Sequence, residues 1–269
     1  SNVKLKNSYN RGLVSKSLGS QAGGLIGVDT NTSTTLIENS YNIGDVKLLN
    51  VQSNNMGGLI GFATGTITIN DSYNGAEIGL DQENNTNTIS FGGLIGRVHG
   101  NVNINHSYNS GTVKNGTRTG GLIGLTSGQS KLIVDKSYNT GNVSSISSFS
   151  GGIIGFGYAG ESYILNSYNM GKIIGAYSVS GLVGCVGGDG NDTTTKIINS
   201  LNLGELAGKE THGILISNSA NHKIYLSNVY NIANASYAIG YISTSSNYTI
   251  QNNYYLDGKI SSNLSDDGF

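Results

Sequence analysis

Side chains able to do chemistry are thinly spread in this sequence. Gly187-Gly188-Asp189-Gly190-Asn191-Asp192 fits the Gly-Gly-x-Gly-x-Asp pattern that holds Ca²⁺ when it recurs in tandem. It occurs here once, and Thr194 stands where an apolar residue belongs, so a glycine loop is expected. No metal is assigned; Asp189 and Asp192 are the residues that would ligate Ca²⁺ if one were held. Asp81 and Glu83 sit in an asparagine-rich stretch and are expected to be solvated. With Asp189 and Asp192 they are the loop candidates for ligand binding. His99, His106, His212 and His222 form no His-Glu-x-x-His pattern and no recurring metal spacing. Cys185 has no histidine near it in sequence and reads as a small packing residue. Glycosidases need a carboxylate pair and lyases a clustered base and cation. Asp71 and Asp135 occupy neighbouring positions of different repeats, but His106 and Lys136 intervene. No catalytic residue and no cofactor is assigned. Tyr158, Tyr163, Tyr177, Tyr237, Tyr241 and Tyr248 fall outside the repeated tyrosine position and could stack on sugar rings or protein.

What would position these residues is a repeat. Gly-Gly-Leu-Ile-Gly occurs at 23–27, 57–61, 92–96 and 120–124, with variants at 151–155 and 180–184. Ser-Tyr-Asn occurs at 8–10, 40–42, 72–74, 107–109, 137–139 and 167–169, decaying at 200–202 and 229–231. The period is about 30–35 residues, in the range of solenoids and propellers. Before each tyrosine, apolar residues alternate as in a strand, for example Ile67 and Ile69 or Val102 and Ile104. The residue two before the tyrosine (Asn7, Asn39, Asp71, His106, Lys136, Asn166, Asn199) is polar and varied, which predicts a solvated bend. Asn-x-Gly follows the tyrosine and predicts a turn, because both residues tolerate positive φ. No segment has helical periodicity.

Three short strands per repeat, stacked turn on turn, predict an all-β fold: a parallel β-helix (β-solenoid) of about eight coils. Gly24, Gly58, Gly93, Gly121, Gly152 and Gly181 then form one row. Tyr41, Tyr73, Tyr108, Tyr138 and Tyr168 form a stack. Asn42, Asn74, Asn109, Asn139 and Asn169 form an amide ladder. Within the glycine motif the adjacent Leu and Ile should point to opposite faces, one inward and the other outward or into a corner. Extra residues near 80–87 and 187–194 mark loops. A propeller blade is longer than this period, and tryptophan is absent.

Composition agrees with one repetitive body over residues 1–269, with degenerate capping coils over about 205–269. Proline is absent and glycine numbers 41, yet the apolar 36% falls at fixed repeat positions, which argues against disorder. Net charge is −1 with only 12% charged residues, so nothing points to nucleic acid or an anionic membrane. Apolar runs are too short for a membrane-spanning helix. One cysteine excludes an internal disulfide.

The motifs resemble the GLUG repeat family. The Gly-Leu-(hydrophobic)-Gly core stands at 24–27, 58–61, 93–96, 121–124, 152–155 and 181–184, beside Ser-Tyr-Asn-x-Gly-x-Val elements and the closing tyrosine motif at 253–257. The resemblance covers nearly the whole chain; the glycine core is lost after about residue 205. It implies a β-solenoid from a bacterial cell-surface or secreted protein, of the adhesin, haemagglutinin or IgA-peptidase-associated kind, and supplies no catalytic residues. The expected function is a non-catalytic repeat module, a rigid stalk or recognition segment, excised from a longer protein and monomeric. Expected partners are a host glycan or a host or bacterial surface protein. The alternatives are a carbohydrate-active β-helix enzyme, lyase- or glycosidase-like, and an accessory region of an IgA-peptidase-like protease.

Overall fold

One turn shows how the chain is wound. Thr66–Asn70 and Tyr73–Asn74 form one side, Ile78–Leu80 and Ser90–Gly92 a second, and Ile95–Val98 the third. The computed structural model describes residues 2–16, 21–30, 34–48, 55–80, 89–158, 160–187, 193–218, 222–243 and 247–255. Among these, strands of successive turns pair in parallel and in register, Ile69 with Ile104, Tyr73 with Tyr108, Gly92 with Gly120 and Ile95 with Ile123. Three sheets result, as expected for a three-sided β-solenoid, and two of the three sides are broken into two strand segments. The third side is an eight-stranded sheet, one strand to a turn. Six turns carry the glycine core, from Gly24 to Gly181; beyond them the rows lose members, with Leu201 in the tyrosine row and Ile214 in the glycine motif. No helix among the described residues is long and apolar enough to cross a membrane.

The core is a pair of apolar columns. The larger joins Ile67, Ile69, Val102 and Ile104 on the first side to the Leu59–Ile60, Leu94–Ile95 and Leu122–Ile123 pairs. A smaller one lies within the second side, where Val46, Ile78 and Val113 meet Met56 and Phe91. Leu and Ile of the glycine motif therefore do not divide between inside and outside: Leu59, Ile60, Leu94 and Ile95 are all fully buried. Leu sits at the corner between Gly57 and the strand that begins at Ile60, so strand alternation does not apply to it.

The Ser-Tyr-Asn segment builds three ladders at once. Each asparagine Nδ2 donates to Oδ1 of the next turn's asparagine, from Asn10 through Asn42, Asn74, Asn109, Asn139, Asn169 and Asn202 to Asn231, at 2.8–2.9 Å. The second Nδ2 proton goes to the carbonyl two residues on, and Oδ1 accepts the amide N–H there, as for Asn109 with Gly111. Asn109 thus has every donor and acceptor site filled while fully buried. The tyrosine rings stack from Tyr9 to Tyr168 at centroid spacings of 5.3 Å falling to 4.8 Å. The serine row, not anticipated from the sequence, is a third ladder: Ser72 N–H donates to Ser107 Oγ at 3.1 Å, and Ser107 Oγ donates to the Asn105 carbonyl at 2.8 Å.

The turn chemistry differs from expectation in one respect. The Asn-x-Gly segments do not use positive φ. Their asparagine closes the turn through its side chain, and their glycine is required by proximity: a Cβ on Gly44 would lie 2.1 Å from the Gly12 carbonyl oxygen. Positive φ falls instead at the solvated bend, where Asn7, Asn39, Asp71, His106, Lys136, Asn166 and Asn199 have φ of 47–50°. The bend and its exposure were expected; the left-handed backbone was not.

Two stability outcomes follow. Asn109→Ala removes a fully buried amide and strands its partners on Asn74 and Asn139, so it should lower the unfolding free energy by about 3–4 kcal/mol. Asn10→Ala, at the partly exposed end of the ladder, should lower it by only about 1 kcal/mol; equal losses in urea titrations would mean the ladder carries no special share. Lys136→Asn places the side chain that best tolerates the left-handed region at φ 47° and should raise stability by about 0.5–1 kcal/mol. A loss there would contradict the bend geometry.

Candidate binding cleft

Two rows of side chains face each other across the glycine corner. The chain reverses in two residues there, for example at Gly58 and Leu59 between Asn55–Gly57 and Ile60–Ala63. Glycine is needed for that approach: a Cβ on Gly57 would lie 2.1 Å from the Ile60 oxygen and 2.7 Å from the Gly96 nitrogen. A Cβ on Gly58 would lie 2.3 Å from Asn74 Cγ, so the glycine row also presses on the amide ladder. One wall carries Gln21, Asn55, Ser90, Arg118, Phe149, Ser178 and Glu210 in register. The other carries Val28, Phe62, Arg97, Leu125, Phe156 and Cys185.

The middle of this seam is closed by apolar contact. Leu125, Phe156, Cys185 and Ile216 form a buried cluster with Phe149 and Tyr158 against it. Phe149 and Phe156 stack across the walls at 4.8 Å. Burial pushes the Cys185 thiol up to about 12, far from a reactive thiolate, which fits a packing role.

Toward the N-terminal side stand two of the chain's three arginines. The Arg97 guanidinium lies 5.1 Å over Phe62, and its Nε donates to Ser127 Oγ at 2.9 Å. The Arg118 guanidinium lies 5.0 Å over Phe156. Neither has an ion-pair partner among the described residues. Burial lowers the pKa of both, and the Arg97 charge lowers that of Arg118 further.

Toward the C-terminal side the seam opens into a cavity of about 300 Å³, lined by Ser178, Glu210, His212, Ile216, Asn218, Tyr237 and Tyr241. Its origin is a change in the repeat. His212 stands in register with Ser180 and, one turn earlier, Gly151. The facing strand is one residue shorter: Leu215 and Ser217 pair with Val183 and Val186, so Ile216 alone stands where Gly184 and Cys185 stood, and it packs with Cys185. The position that touches backbone as Gly151 carries an imidazole at 212. His212 is buried, stacks on Tyr237 at 4.8 Å, and has no hydrogen-bond partner at either ring nitrogen. His222, also fully buried, meets Ser217 Oγ through Nδ1 at 3.3 Å.

Of the residues singled out from the sequence, Asp81, Glu83, Asp189 and Asp192 lie outside the described residues, as does most of each loop near 80–87 and 187–194. Asp71 and Asp135 are not brought together: Asp71 is at the left-handed bend, and Asp135 accepts from Asn166 Nδ2 at 2.7 Å. Tyr158, Tyr237 and Tyr241 belong to the cleft; Tyr163 lies instead on the first sheet's outer face beside Lys131 and Lys196. Among the described residues no three His, Cys, Asp or Glu side chains gather as a metal site would require. The arginine pair and the His212 cavity were not foreseen. Their only sequence signals were the scarcity of arginine and the loss of two glycines in one repeat. Comparison with family models, curated proteins and solved structures finds no match to this chain.

The buried imidazole makes stability depend on pH. Burial holds His212 down to about 4, against 6.5 when unfolded. Between these values the unfolded chain binds more protons, so the contribution is complete above about pH 6.5 and is lost as pH falls toward 4. At pH 4.5 the loss is about 2–3 kcal/mol. His212→Phe keeps a ring against Tyr237 and should shrink the difference in unfolding free energy between pH 7.5 and 4.5 by about 2 kcal/mol; an unchanged difference would mean the imidazole is protonated in the fold. Part of the slope remains in the variant, because burial also lowers His222. Cys185 should resist thiol reagents in the folded chain and react fully once unfolded; rapid native labelling would show the seam open at its centre.

Proposed function

We propose that this chain is a non-catalytic repeat module of a bacterial cell-surface or secreted protein, serving as a stiff stalk and recognition segment. The observation that carries the reading is the continuous amide ladder from Asn10 to Asn231, buried from Asn42 onward. Each turn from Asn42 to Asn202 is tied to both neighbours by side chains as well as backbone, so the stack resists bending and shearing. Such construction suits a part whose task is to hold its shape. The likeness of the repeat to GLUG modules supports the bacterial surface setting.

Recognition is assigned to the cleft. Tyr237 and Tyr241 offer ring faces, and Glu210, Asn218 and Ser178 offer hydrogen-bonding groups around about 300 Å³, a combination suited to a sugar ring. A glycan and host-protein array probed with the purified chain tests this. Binding that falls at least tenfold in Tyr241→Ala, with the fold intact, is the expected result. Binding unaffected by Tyr241→Ala would move recognition elsewhere on the surface, and no binding at all would leave the stalk role alone.

A further inference from the structure

We propose that Arg97 and Arg118 form a subsite for the anionic group, carboxylate or sulfate, of an acidic polysaccharide lying along the cleft. The inference deepens the recognition role above and rests on it.

The two guanidiniums come from facing walls in successive turns. Arg97 is in register with Leu125 of the following turn, and Arg118 with Ser90 of the preceding one. Each is laid on a phenylalanine face, Phe62 or Phe156, which fixes its plane and leaves its N–H edge available. Arg97 spends one N–H on Ser127, and the Arg118 guanidinium makes no hydrogen bond among the described residues. The remaining polar groups nearby are of the same character. Ser127 Oγ also meets His99 Nδ1 at 3.3 Å, and Tyr158 lies at 5.9 Å from the Phe156 ring under Arg118. No carboxylate pairs with either arginine among the described residues.

Two half-buried like charges with no carboxylate beside them among the described residues are unfavourable in the free chain. An oxyanion between them removes the repulsion and gains charge-assisted hydrogen bonds to planar forks that are already oriented. The rest of the ligand is identified by the cleft. Both walls are strands whose backbone groups are engaged by the turns above and below, so an extended peptide finds no free edge to pair with. What the seam presents is side chains: the two guanidinium forks, then Leu125 and Phe156 buried where the walls close, and the tyrosine-lined cavity beyond. A chain of sugar rings bearing anionic groups can cross the closed middle and reach from the forks to the tyrosine faces.

The test is calorimetric titration of the whole chain with four probes: oligogalacturonate for carboxylate, dextran sulfate for sulfate, neutral dextran, and sodium sulfate alone. The expected result is saturable binding of oligogalacturonate or dextran sulfate, at least tenfold weaker in Arg97→Gln and Arg118→Gln. Lys196→Gln, on the first sheet's outer face, should leave it unchanged. Thermal unfolding checks the fold: Arg118→Gln should melt no lower than the parent, since it removes an uncompensated charge. If it does melt lower, Arg118→Lys, which keeps charge but loses the fork, takes its place and should still weaken binding several-fold. Acidic-glycan affinity unchanged in both arginine variants overturns the subsite. Binding of neutral dextran as tightly as its sulfated form, lost only in Tyr241→Ala, overturns the subsite and leaves the recognition role standing. Binding of sodium sulfate as tightly as the polymer per anionic group overturns the polysaccharide. No binding of any probe overturns both the subsite and the recognition role at the cleft.

Discussion

A primary amide with all four of its hydrogen-bonding sites filled, buried and repeated every turn, is the constraint the rest of this fold obeys. Asn74, Asn109 and Asn139 are each fully buried. Burying an unsatisfied amide costs several kcal/mol, so register between turns cannot slip without exposing or orphaning a whole row. The ladder also sets the shape of the glycine corner. Gly58 and Gly93 lie so close to Asn74 and Asn109 that a methyl group would fall 2.3 Å from the amide carbon. Glycine and asparagine are thus two halves of one contact. The serine and tyrosine on either side inherit the same spacing, which is why ring centroids settle near 4.9 Å.

That spacing was legible in the sequence because it is carried by identity: the same residue at the same offset, turn after turn. Asparagine and tyrosine ladders, parallel pairing and the alternating apolar positions all followed from it. Features set by backbone conformation were harder to see. The residue before each ladder serine is held at φ near 48°, yet its identity ranges over Asn, Asp, His and Lys, because exposure leaves the side chain free while the bend constrains only the backbone. The expectation of positive φ went to Asn-x-Gly, where close approach rather than chirality selects glycine. Likewise Leu59 and Ile60 share one core because a corner, not a strand, separates them. The serine ladder was hidden in plain view: serine is as invariant as tyrosine in the motif, but a hydroxyl can serve so many local roles that spacing alone does not select this one.

The cleft was illegible for a different reason. Its two walls are built from positions that vary freely from turn to turn, such as Asn55, Ser90, Arg118 and Phe149. Repetition identifies what holds the solenoid together and is silent about what is displayed on it. Degeneration of the motif near residue 212 read only as capping. In three dimensions His212 stands where a glycine stood two turns earlier, the facing strand is one residue shorter at Ile216, and a cavity of about 300 Å³ lies beside them. A departure from the repeat is therefore informative where the repeated residue was itself a contact.

The scaffold and the cleft put polar groups to opposite uses. In the ladders every buried donor meets an acceptor, and the result is rigidity. In the cleft Arg97 and Arg118 are half-buried and meet no carboxylate among the described residues, and His212 is buried with no hydrogen bond at either ring nitrogen, Glu210 Oε2 lying 4.0 Å from Nε2. Such groups destabilise the free fold, by burial and, for the arginines, by mutual repulsion. A marginally stable protein can carry them only where other contacts hold the backbone in place. Here those contacts are the ladders on the far side of the glycine corner: Asn74 and Asn109 press directly on the corner glycines from which both walls of the seam spring. Stability generated by repetition on one face is what lets non-repeating, poorly compensated residues persist on the other.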